Sequence, residues 1–175
     1  RETSGVMILA KNQDAHQYLK KQFQDRLVDK EYRAFVYGRM NDRWGTINRP
    51  IGRHTKDHRK RSAERGAKGV LREAITDFER IGMGEYKDEP FSYVKLKPKT
   101  GRTHQLRAHL RALDRPIVGD GLYADYKIEK SCNLDTNRLL LHAHILELAL
   151  PNGTTERFIS PLPQTFELAA ERIAE

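Results

Sequence analysis

The chain has 175 residues, 38% hydrophobic and 32% charged, with a formal net charge of +8. That length suits one domain, expected over 1–175, with a core of reasonable size. The longest apolar run, Gly5-Val6-Met7-Ile8-Leu9-Ala10, is strand-length and far short of the roughly 18 residues a membrane helix needs, so no membrane association is expected. The single cysteine, Cys132, excludes an internal disulfide and a cysteine-built zinc site and points to a reducing, cytoplasmic setting. The positive excess favours a polyanionic partner, nucleic acid before an anionic membrane.

Residues 5–11 are rich in β-branched and long apolar side chains and predict a buried strand. Asn12 offers an N-cap to a helix over 13–26, with Tyr18, Leu19, Gln22 and Phe23 on its partly apolar face. Residues 31–39 alternate around Tyr32, Ala34 and Val36 and predict a strand buried on both sides. From Arg49 to Arg72 core formers almost vanish and basic residues crowd together. A segment of that kind predicts a long loop or a two-stranded arm projecting from the body. Strands follow over 74–82 and 91–97, joined by a turn over 84–90. Thr103 is the expected N-cap of a helix over 103–113, with Leu106, Leu110 and Leu113 on one face. A long strand over 139–150 leads through Pro151-Asn152-Gly153 into a hairpin partner at 156–159. An amphipathic helix over 163–174 closes the chain. The fold class is α+β, mixed, with a largely antiparallel central sheet flanked by helices and loops.

Four segments carry the functional reading. They are Arg1-Glu2-Thr3-Ser4-Gly5 with the apolar run after it, Lys30-Glu31-Tyr32-Arg33-Ala34, and Thr100-Gly101-Arg102-Thr103-His104-Gln105-Leu106-Arg107-Ala108-His109-Leu110, which continues into Arg115-Pro116-Ile117-Val118-Gly119-Asp120-Gly121-Leu122-Tyr123. The fourth is Arg138-Leu139-Leu140-Leu141-His142-Ala143. In this order they resemble the RluA-type pseudouridine synthases, which isomerise uridine in ribosomal and transfer RNA. The resemblance runs from Arg1 to at least Pro161. It implies an RNA pseudouridine synthase acting on ribosomal RNA first, as a monomer, without cofactor or metal.

Position by position, the resemblance implies three catalytic roles. Tyr32 stacks on the target uracil and is a candidate for proton removal at C5. Arg107 pairs with the catalytic aspartate. Leu141 belongs to the apolar wall of the pocket. The aspartate of the family's His-Arg-Leu-Asp motif would stand immediately before Arg1, with Arg1 and Glu2 as the two variable residues that follow it. The chain is therefore expected to be a piece of a longer protein, inactive on its own, with the side chain of Glu2 pointing elsewhere. The sequence leaves open whether the aspartate attacks the base or the sugar.

RNA contacts are expected from Arg1, Arg102, His104 and Gln105, and from Arg49, Arg53, His54, Arg59, Lys60 and Arg61 of the basic arm at 49–72, spaced to follow a phosphate backbone. Taken alone, each residue has a plainer reading: Tyr32 as a core tyrosine, Arg107 as a solvated charge, the arm as a charged loop. His142 and His144 share a strand face but lack a carboxylate neighbour and predict no metal site. Two rival classes remain at this point, a catalytically inactive RNA-binding module on the same fold and a basic domain that assembles with protein partners.

Overall fold

The computed structural model describes residues 2–124 and 133–174; Arg1, an expected RNA contact, and Cys132 lie outside them. In chain order the elements are β1 (Ser4–Gly5), α1 (Gln13–Gln24), β2 (Asp29–Tyr37), β3 (Trp44–Asn48), β4 (Ile51–Arg53), β5 (Arg61–Ser62), β6 (Lys68–Arg72), β7 (Ile75–Tyr86), β8 (Glu89–Pro98), α2 (Gln105–Arg111), β9 (Leu141–Ala149), β10 (Thr155–Ile159) and α3 (Gln164–Ala174). The main sheet has the order β1-β9-β2-β8-β7-β3, with β10 also on β9. Every pairing in it is antiparallel except β1 with β9. This is the mixed, largely antiparallel α+β architecture that the strand pattern predicts.

Strand alternation sends successive side chains to opposite faces. Ala34, Val36, Val94 and Leu96 pack with Leu106 and Leu110 of α2. Phe35, Tyr37 and Phe91 pack with Phe166, Ala169 and Ile173 of α3. The Phe35 and Tyr93 rings stack at 4.4 Å, with Phe166 tilted against them. Each large side chain buried completely here stabilises the fold by about 1.5–3 kcal/mol relative to exposure. Residues 34–37 of the central strand β2 therefore form an uninterrupted apolar run, because both faces are covered there.

Several expectations are corrected. The predicted strand over 5–11 shrinks to two residues. Met7 and Leu9 are each 76% exposed, while Val6 and Ile8 still pack against Val28, Leu146 and Leu148. The cause is competition for an edge. β1 pairs with His142 and Ala143 of β9, and from Ile145 onward the same side of β9 is taken by β10. Gly5 makes the short pairing possible, because a Cβ there would lie 2.1 Å from the Ala143 carbonyl oxygen at a φ of +114°.

The segment over 49–72 is neither a loop nor a two-stranded arm but a three-stranded antiparallel sheet, order β5-β4-β6. The turn predicted over 84–90 tightens to Lys87 and Asp88, at φ 52° and 63°, the positive pair that a two-residue hairpin requires. β3 is an element the sequence pattern conceals, since it is an edge strand with one buried residue, Ile47. Other expectations hold. Asn12 caps α1 by accepting the Ala15 amide at 2.9 Å, and the β9–β10 hairpin turns at Gly153.

Candidate active site

Thr103 does not cap α2. His104 occupies the cap position in a left-handed conformation with no side-chain cap bond. The Gln105 side chain organises the turn instead. Its Oε1 accepts from the Thr100 hydroxyl at 2.7 Å and the Arg102 amide at 3.0 Å. Its Nε2 donates to the Ile75 carbonyl and the Thr76 hydroxyl, both at 3.0 Å. Thr76 in turn meets His109 Nδ1 at 3.0 Å, and His109 Nε2 meets the Arg49 carbonyl at 3.0 Å. Since a carbonyl only accepts, His109 carries its proton on Nε2, and burial pushes its imidazole below the usual histidine range. Gln105, expected as an RNA contact, lines the cavity at the start of α2, but its amide is engaged by protein partners that fix where α2 points.

That orientation aims α2 at this cavity of about 220 Å³. Tyr32 enters it from β2, at a register shift between Glu31 and Tyr32 against β9, the kind of irregularity that re-aims a side chain. Burial raises the Tyr32 phenol above its ordinary pKa, so it is protonated at neutral pH. Leu139 and Leu141 line the same cavity. Leu140 points through the sheet into the α3 side of the core. Lys30, unassigned by the sequence reading, stands at the wall with its ammonium lowered by burial. Glu2 also lines the cavity.

Arg107 reaches the cavity from α2. Among the described residues its partner is Asp120. Arg107 Nε donates to Asp120 Oδ2 at 2.7 Å and Nη2 to Oδ1 at 2.5 Å. Burial opposes the Arg107 charge, but the Asp120 bonds outweigh it and hold the guanidinium above its ordinary value. The Tyr123 ring lies 4.9 Å from the guanidinium carbon. Its hydroxyl accepts from the Arg61 amide at 2.7 Å and meets His104 Nδ1 at 3.2 Å. His104 is lowered by burial and then by the nearby Arg107, so it is neutral at neutral pH. Sequence reasoning quoted Asp120 and Tyr123 within a motif and gave them no role. The signal was an acid between two glycines closing the apolar run Pro116-Ile117-Val118.

Beside this cavity runs a cleft of about 530 Å³ lined by Arg53, Arg61, Arg72 and Arg102, with Gly101 and Arg102 common to both. No acid lines it. The basic residues expected to contact RNA divide accordingly. Arg53, Arg61 and Arg102 face the cleft. Arg59 is neutralised by Asp57, with bonds at 3.0 and 2.9 Å, and Arg49 donates to the Ala112 carbonyl at 2.6 Å. His54 Nδ1 accepts the amides of Lys56 and Asp57. Lys60 stands with Arg61 and Tyr123 around a smaller hollow behind the cleft. Arg72, at the end of the arm, is a member that the sequence reading missed. His142 and His144 are spent on the Ser160 carbonyl.

Comparison with known proteins gives relatives along most of the chain. Over 169 residues the chain is 38% identical to the ribosomal large subunit pseudouridine synthase D of Borreliella burgdorferi, covering 95% of this chain and 48% of that protein. It is 35% identical over 175 residues to the protein of the same name from Blochmanniella floridana, covering 94% and 52%. The chain spans about half the length of these curated relatives. The solved structure of human RNA pseudouridylate synthase domain containing 1 superposes with a TM-score of 0.77 at 31% identity, over 91% of this chain and 66% of that one. Human RNA pseudouridylate synthase domain containing 4 gives 0.73 at 25% identity, over 96% and 70%. Residues 1–112 match the family described as RNA pseudouridylate synthase, and the chain belongs to that family.

Proposed function

We propose that this chain is the catalytic domain of an RNA pseudouridine synthase that isomerises uridines in ribosomal RNA, working in the cytoplasm as a monomer and without cofactor or metal. The observation that carries the reading is convergence: Tyr32, Arg107 and Leu141, from three separate segments, line one cavity. The reaction breaks the N1–C1′ bond of a uridine, rotates the base, forms the C1′–C5 bond, and moves the C5 proton away as N1 gains one. A stacked base offers none of these atoms, so the nucleotide must be extruded into a pocket. The Tyr32 ring then replaces the lost stacking, worth about 1–3 kcal/mol per base. Leu139 and Leu141 exclude water from the other wall.

The transient species needs an ionised carboxylate beside it. Arg107 keeps one edge free to orient such a group. In this reading the carboxylate belongs to a residue immediately before Arg1, and a polypeptide of residues 1–175 alone binds RNA without turnover. The arginine cleft carries the phosphates next to the extruded nucleotide, since its charge is uncompensated and it opens into the cavity. The names of the curated relatives support ribosomal RNA as the substrate.

The test is tritium release from RNA carrying 5-tritiated uridine. The full-length protein should release tritium and leave pseudouridine in ribosomal RNA. RNA binding with no release by the full-length protein would leave only a binding module.

A further inference from the structure

We propose that Asp120 and Tyr123 are positioning residues for this reaction: Asp120 fixes which edge of the Arg107 guanidinium faces the cavity, and Tyr123 ties that guanidinium to the RNA-contacting arm. The inference rests on the reading of the cavity as the uridine site.

A guanidinium has two edges that suit a carboxylate, Nε with Nη2 and Nη1 with Nη2. Asp120 takes the first. Nη1 has no hydrogen-bond partner among the described residues and belongs to a side chain lining the cavity. Asp120 cannot turn away from this task. It is fully buried, and its Oδ1 also accepts the amides of Leu122 and Tyr123 at 3.1 and 3.0 Å. The turn that presents it passes through Gly119 at a φ of +72°, where a Cβ would lie 2.0 Å from the Arg138 carbonyl oxygen. An ion pair this buried is a poor stabilising device, because well-packed apolar residues do as well. What it delivers is a fixed direction for a charged fork.

Tyr123 adds the second half. It is 4% exposed, and its ring supports the Arg107 guanidinium from the side. Its hydroxyl is the acceptor for the Arg61 amide on β5 and meets His104 at the start of α2. β5 is a two-residue strand, and this hydroxyl is one attachment of the arm to the body, beside the packing of Ile51 and Ala63 with Ala108 and the Arg49 carbonyl on His109. Displacing the arm pulls on the ring beneath Arg107. One side chain thus holds the arm in register with the guanidinium, so that RNA seated along the arm meets the cavity at a fixed place.

The experiment measures tritium release and RNA affinity with the full-length protein. Asp120→Asn should lower kcat by about 100-fold, the scale of stripping one partner from a buried pair, while the Kd for RNA holds. Tyr123→Phe keeps the ring and loses the tether. It should raise KM for RNA several-fold with a much smaller change in kcat. Tyr123→Leu loses both and should lower kcat as well. A merely structural role would scale kcat with the folded fraction in all three and leave KM alone. Wild-type kcat in folded Asp120→Asn, or identical behaviour of Tyr123→Phe and Tyr123→Leu, would overturn the proposal. If Asp120→Asn does not fold, the Tyr123 pair decides. No release by the unsubstituted protein would instead sink the uridine-site reading, and the RNA affinity of Tyr123→Phe would still test the tether.

Discussion

The cavity and the basic arm are built from opposite principles although they share a wall. Around the cavity, polar groups satisfy one another: Thr100, Gln105, Thr76 and His109 form one buried chain, and Arg107 closes on Asp120. Along the arm, all five residues of β6 are exposed, and Arg53, Arg61 and Arg72 face a cleft that no carboxylate lines among the described residues. The first arrangement holds a few groups in a fixed geometry, as chemistry requires. The second presents charge that a flexible polyanion can follow without demanding one pose. Damage to the cavity should therefore appear in turnover, and damage to the arm in binding.

The largest expected effect is at Arg107. Arg107→Met in the full-length protein should lower kcat by about 100-fold or more, since it leaves Asp120 as a buried unpaired charge. Arg107→Lys should also be poor, because an ammonium cannot present two edges. Tritium release at saturating RNA measures both. Tyr32 comes next. Tyr32→Ala should lose about 1–3 kcal/mol of base stacking, read as weaker binding and slower turnover. Tyr32→Phe separates roles: retained activity means the ring suffices, whereas bound RNA without product means the hydroxyl moves a proton. Burial keeps that phenol protonated, so a hydroxyl role would need it to hand its proton on as it accepts the one from C5.

The sequence made some of this legible. Alternation around Ala34 and Val36 identified β2, and the apolar face of Leu106 and Leu110 identified α2. The convergence of Tyr32, Arg107 and Leu141 follows from motifs spread over more than a hundred positions. Three features stayed hidden for physical reasons. The loss of the strand over 5–11 depends on β10 occupying the same edge of β9, a competition between segments that no local pattern records. The role of Gln105 depends on what lies opposite its amide, because glutamine on a helix near arginines looks the same whether it turns in or out. The sorting of Arg59 from Arg53 depends on Asp57, an acid two positions away whose bonds exist only in the folded turn.

The arm supplies the intermediate effect. Neutralising Arg53, Arg61 and Arg72 together should weaken RNA binding across unrelated sequences and flatten the slope of log affinity against log salt by roughly 0.7 per lost phosphate contact on single strands. Neutralising Arg59 alone should change that slope much less, since Asp57 already compensates it. Equal effects would erase the distinction between cleft and solvated charge.

The smallest effect concerns stability. Burial holds His109 and His142 below the ordinary histidine pKa. Unfolded histidine titrates near 6.5, so the stability gained by keeping them neutral is complete above about pH 6.5 and is lost as pH falls through their folded values. The free energy of urea unfolding should decline as pH falls below about 6.5, at most by about 1.4 kcal/mol per pH unit for each proton taken up. His109→Gln should make that decline shallower, whatever it does to stability at neutral pH.

The division between cavity and arm is tested most directly by single-turnover tritium release from 5-tritiated uridine RNA at saturating enzyme, comparing Arg107→Met with the Arg53, Arg61 and Arg72 triple variant. With binding saturated, the triple variant should approach the rate of the unsubstituted protein and Arg107→Met should stay at least about 100-fold slower. A normal rate in Arg107→Met, or a triple variant that stays slow once all its RNA is bound, would contradict the account.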